Sequence, residues 1–102
     1  MKLEHELIAV AEYVQSLINL EYERVGWEPE PNSALDQAGL REGKDVVKDY
    51  LEHGEAGIAF DHLLYMVKET NVQLSEVYST RLSTIAKKFG VSLADRLTTH
   101  YD

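Results

Sequence analysis

From Leu3 onward, apolar residues recur at Leu3, Leu7, Val10, Val14 and Leu17, spaced 4, 3, 4, 3, with Glu4, Glu6, Glu12 and Gln15 lying off that line. This is the stripe of an amphipathic helix, predicted over residues 2–25 and about 35 Å long at roughly 1.5 Å per residue. The stripe is expected to pack on later helices of the same chain. Gly26 ends the helix, and Trp27-Glu28-Pro29-Glu30-Pro31-Asn32-Ser33 does not continue it, because each proline lacks an amide donor and restricts the residue before it. Ser33-Ala34-Leu35-Asp36 reads as a capped single helical turn before Gly39.

A second helix is predicted over residues 41–53, with Val46, Val47, Tyr50 and Leu51 inward and Gly54 as a left-handed terminator. A third follows over 55–70. Ala56, Ala59, Phe60, Leu63, Leu64 and Val67 give it a broad apolar face, which Ile58, Tyr65 and Met66 extend nearly around the helix, so it is expected to be the most buried element. Ser75 is placed to cap a fourth helix over 76–89 with Leu82, Ile85, Ala86 and Phe89 inward, Lys87 and Lys88 at its negative end, and Gly90 beyond it. Ser92 opens a last short helix carrying Leu93 and Leu97. No stretch alternates long enough to predict a strand. The expected fold is therefore a compact all-α bundle of four main helices with a short C-terminal helix, residues 1–102 forming a single domain.

Charge changes the picture more than composition does. The 102 residues carry a formal net charge of -8, distributed unevenly: residues 1–66 hold fourteen acids and five bases, residues 67–102 four acids and five bases. An acidic N-terminal two-thirds disfavours direct contact with nucleic-acid phosphates and favours a basic partner. The acidic start Glu4-His5-Glu6 does not fit an export signal, no apolar run approaches the roughly 20 residues of a membrane span, and the absence of cysteine suits a reducing compartment. The cytoplasm is the expected location.

Candidate chemistry fails on spacing. His5-Glu6 begins a zinc-protease pattern, but its second histidine falls on Ala9; the residues three before the histidines His5, His53, His62 and His100 are Lys2, Tyr50, Ala59 and Leu97, none a carboxylate. Asp61 and His62, adjacent on a helix, point about 100° apart. No catalytic residue, metal or cofactor is expected. The segment Thr84–Leu97 resembles the helix-turn-helix of DNA-binding repressors through Ile85, Ala86, Phe89, Gly90 and Val91, but Arg96 and Thr99 stand where that motif wants apolar residues, and its recognition helix would carry Asp95.

Val47 to Leu97 resembles the MafI-like immunity proteins that bacteria make against their own secreted polymorphic toxins. The resemblance is carried by Tyr50-Leu-Glu-His-Gly-Glu-Ala-Gly-Ile-Ala-Phe-Asp-His-Leu-Leu-Tyr-Met-Val-Lys-Glu69, by its turn Gly54-Glu55 followed by Gly57, Ala59, Leu63 and Leu64, and by Leu82, Ile85, Ala86 and Phe89-Gly90-Val91. It implies a protein that binds and neutralises a cognate toxin. Acidity points to a toxin domain with a basic surface, such as a nuclease groove evolved for phosphates. The alternatives are a regulatory adaptor for another basic protein and the DNA-binding reading of residues 84–97.

Two candidate surfaces follow. Glu42, Asp45, Asp49 and Glu52 are spaced 3, 4, 3 and form one helical stripe, either a binding face or a solvated one partly neutralised by Lys48. Trp27, flanked by Glu28 and Glu30, has the composition of a binding hot spot and equally that of a plug closing the bundle. At the turn, Gly54 permits a left-handed cap, Glu55 favours a helix N-terminus and Gly57 allows close helix approach, which accounts for the three without a toxin contact.

Overall fold

The computed structural model describes residues 3–97, the side chain of Asp95 excepted; the expected helix start at Lys2, together with Thr99 and His100, lies outside them. Five α-helices, α1 (Leu3–Arg24), α2 (Gly43–Glu52), α3 (Ala56–Thr70), α4 (Glu76–Lys88) and α5 (Leu93–Leu97), and a single 3-10 turn at Ala34–Asp36 form the described chain, with no strand. The fold is an all-α bundle. α1 packs against α2, α3 and α4, α2 lies along α3, and α5 closes on α3.

The inward face of α1 is Leu7, Val10, Ala11, Val14, Gln15, Ile18 and Tyr22. This corrects the sequence reading, in which Leu17 faced in and Gln15 out: Leu17 is only half-buried, and Gln15 is 2% exposed. A buried amide is tolerated when its hydrogen-bonding groups are partnered. Gln15 Nε2 donates to Leu40 O at 2.9 Å and to Asn19 Oδ1 at 3.1 Å, while Oε1 accepts the Lys44 N–H at 2.9 Å.

α3 has six buried residues in fifteen against seven in twenty-two for α1, so it is the more densely buried of the two. Its apolar character does not run fully round, however. Met66 is completely buried, Tyr65 is half-buried, and Ile58 is 43% exposed. Phe60 stacks on Phe89 at 4.8 Å between ring centroids, bringing the end of α4 onto α3. α4 is also tied to α1, where Tyr13 and Tyr78 stack at 3.7 Å and Arg81 pairs with both oxygens of Glu6 at 3.1 Å.

α1, α2 and α4 end alike. The N–H groups of Trp27, Glu55 and Val91 reach back to Tyr22, Tyr50 and Ala86 carbonyls, and those of Gly26, Gly54 and Gly90 to Glu23, Leu51 and Lys87. This pairing needs a left-handed residue at the turn, which Gly54 supplies between α2 and α3 with φ 73°. The close-approach glycine is a different one from that expected. A Cβ on Gly57 would meet open space, whereas one on Gly43 would lie 2.6 Å from Cε of Met66, so Gly43 is what lets α2 settle against α3.

The helix caps also divide. Ser75 Oγ accepts the Tyr78 N–H at 3.3 Å, as its position predicts. Ser33 precedes its 3-10 turn but does not cap it, and among the described residues its buried hydroxyl has no hydrogen-bond partner. Asp36 Oδ2 instead accepts the N–H of Asn32, ahead of the turn, at 2.8 Å.

Candidate protein-binding surface

The long connection between α1 and α2 is held down by side chains of the two helices beneath it. Tyr22 donates its hydroxyl to Leu35 O at 2.7 Å, Tyr65 to Ala38 O at 2.7 Å, His62 Nε2 donates to Gly39 O at 2.9 Å, and Gln15 donates to Leu40 O. Since a carbonyl only accepts, His62 carries its proton on Nε2 here. Four donors on four nearby carbonyls fix the loop as a shaped surface.

Trp27 sits at its start in a left-handed conformation, φ 62°, uncommon for a bulky side chain. Its ring lies nearly parallel to that of Tyr22, 4.9 Å between centroids. The Arg41 guanidinium caps the pair, 5.0 Å from the Tyr22 ring centre and 5.5 Å from that of Trp27, and donates through Nη2 to Trp27 O. Trp27 therefore covers the buried Tyr22 while staying 38% exposed, so it is at once a plug and a surface aromatic. Glu28 and Glu30 are exposed beside it and enter none of the described ion pairs.

On α2, Glu42, Asp45, Asp49 and Glu52 are all exposed, on the side away from buried Val47. Lys48, the alternative neutraliser of the stripe, makes no described ion pair with it. Lys48 Nζ instead reaches α1 and pairs with Glu12 at 3.0 Å. Among the described residues the stripe's ion pair comes from His53, whose Nδ1 lies 2.8 Å from Asp49 O and 3.7 Å from Asp49 Oδ1. The hydrogen bond to the Asp49 carbonyl, and then the Asp49 carboxylate, raise the His53 pKa above its ordinary value.

The two candidate surfaces meet at Arg41. It holds Trp27 from one side and is followed directly by Glu42, the first acid of the stripe. Sequence spacing shows the stripe but not this junction, because Arg41 is fourteen residues from the carbonyl it binds. A shallow pocket of about 220 Å³ opens beside the junction, lined by Tyr22, Pro29, Leu35, Asp36, Arg41 and Glu42 among others.

Among the described residues no group of three or more His, Asp or Glu is placed to hold a metal ion, and no helix is long and apolar enough to cross a membrane. Asp61 pairs with Arg96 and His62 turns to Gly39, so these neighbours serve different contacts. The DNA-recognition helix of the repressor resemblance corresponds to α5, which has five residues, packs Leu93 and Leu97 against the core and spends Arg96 on Asp61. Comparison with protein-family models, with curated proteins and with solved structures returns no match.

Proposed function

We propose that this domain is an immunity protein that binds a basic toxin domain through the surface running from the Trp27 loop along α2. The observation that carries the reading is the stripe of four exposed carboxylates left without a lysine partner because Lys48 is engaged by Glu12. A row of exposed carboxylates repels itself and favours association with a cationic surface. Trp27 adds a large aromatic contact next to it, the residue type most often found to anchor protein interfaces. The resemblance in Tyr50–Glu69 supplies the class of partner, a secreted toxin neutralised inside the producing cell, and charge favours a nuclease whose groove is built for phosphates. Catalysis, a metal and a cofactor have no part in this reading.

The test is co-expression with the product of the open reading frame upstream of this gene, which the reading expects to end in a toxin domain. Protection of the cells and a stable complex of the two purified proteins are expected. A complex with a basic protein that is no toxin moves the function to the adaptor class, and retention on DNA with no protein partner rejects the reading.

A further inference from the structure

Resting on the reading that this face binds a basic protein, we infer that the pocket between Tyr22, Asp36 and Glu42 is a socket for one Lys or Arg side chain of that partner. The pocket lies above the fully buried Tyr22 and has walls at Pro29 and Leu35 that suit the methylene stem of a long basic side chain. Its rim carries two exposed carboxylates, Asp36 and Glu42. Among the described residues Asp36 is bonded through Oδ2 alone, to the Asn32 N–H, which leaves Oδ1 for an incoming donor. Arg41, the cation of this pocket, is committed to the Trp27 carbonyl and to the two rings, so it sits on the Trp27 side and leaves the carboxylate side to the newcomer.

Burial is the main cause of the raised Tyr22 pKa; Arg41 is the largest charge effect and lowers it, and Glu42 and then Asp36 raise it, so the two carboxylates act at the pocket against one resident cation. The walls are also fixed in advance. Tyr22 is bonded to Leu35 O, and the neighbouring carbonyls of Ala38, Gly39 and Leu40 are held from α1 and α3, so little ordering is left for the moment of binding.

Trp27 is the protein's sole tryptophan and stacks on Tyr22 beneath the pocket, which makes its emission a local reporter. The probes are a ten-residue peptide alternating Arg and Gly, the same peptide with citrulline for Arg, and one with Glu for Arg. Affinity is read by calorimetry and location by Trp27 fluorescence. The Arg peptide is expected to bind and to change Trp27 emission, and the citrulline and Glu peptides to do neither. Asp36→Asn with Glu42→Gln is expected to weaken binding about tenfold or more, the lower range for close charge pairs, and to abolish the emission change. Glu69→Gln with Glu76→Gln removes the same charge away from both the stripe and the pocket and is expected to cost less than about threefold while leaving the emission change intact. Thermal unfolding of both variants establishes that they are folded. Equal weakening by the two double variants, binding without an emission change, or binding of the Glu peptide overturns the socket. None of these outcomes decides the proposed function, which stands or falls on the co-expression test; failure of the Arg peptide to bind at all likewise overturns the socket alone.

Discussion

Gln15 in α1 accepts the backbone N–H of Lys44 at 2.9 Å from 29 residues away, and so gives α2 the N-terminal cap that its own Glu42 does not provide. The same amide donates to Leu40 O, so one side chain joins the loop, the acidic helix and α1. Gln15→Ala leaves both backbone groups unpartnered in a buried place. With each orphaned group costing about 1–3 kcal/mol, a loss of roughly 2–6 kcal/mol is expected in urea denaturation. A loss under about 0.5 kcal/mol would mean that water replaces the amide.

Leu63 and Ile58 test the asymmetry of α3. Leu63 is fully buried, so Leu63→Ala is expected to destabilise by about 2–5 kcal/mol. Ile58 is 43% exposed, and Ile58→Ala is expected to cost less than about 1 kcal/mol. Equal costs in the same denaturation experiment would show that α3 is enclosed on all sides.

The helices were legible because periodicity and terminators are local: Leu7, Val10 and Val14 set the α1 face, and Gly26, Gly54 and Gly90 each stand where a helix turns off. Gln15 was misread because its burial depends on partners 25 and 29 residues away, and Gly57 because an exposed glycine and a close-approach glycine look alike in sequence. The acidic stripe was likewise visible from spacing on α2. That Lys48 leaves it for Glu12, and that Arg41 joins it to Trp27, depends on how α1 and α2 are packed.

His53 links the stripe to pH. Its pKa is raised in the folded chain by the Asp49 carbonyl and carboxylate, so the protonated form favours folding. The stability it contributes is fully present below the unfolded-state value near 6.5 and is lost as pH rises through the higher folded-state value. NMR titration is expected to place His53 above 6.5, and Asp49→Asn to lower it. A titration at or below the ordinary value in the unaltered protein overturns the contact.

Lys87 and Lys88 close α4 and are exposed. Lys87→Ala with Lys88→Ala is expected to leave protein binding and protection of cells unchanged, and the unaltered protein is expected not to shift DNA at physiological salt. DNA retention that this double variant loses would restore the repressor-like reading of residues 84–97.

Charge reversal on α2 tests the binding face itself, and the packing dictates which acids are usable. Glu6 and Glu12 on α1 are poor controls, since they hold Arg81 and Lys48 across helix interfaces. Asp49 is best left in place because it holds His53. Asp45→Lys with Glu52→Lys alters two exposed residues with no described ion pair, and Glu23→Lys with Glu69→Lys makes the same change of charge off the stripe. Both pairs are expected to change stability by less than about 1 kcal/mol. Close charge pairs at interfaces couple by about 1.5–7 kcal/mol, so losing two of them should weaken the proposed complex with a basic partner by at least about a hundredfold, against a few-fold for the control pair. Association of the unaltered protein should also slow as salt rises, because steering is screened beyond about 10 Å at 0.1 M. Equal losses from the two variants would reduce the stripe to a contribution to net charge, and no loss from either would leave the acidity of this chain as a matter of solubility alone.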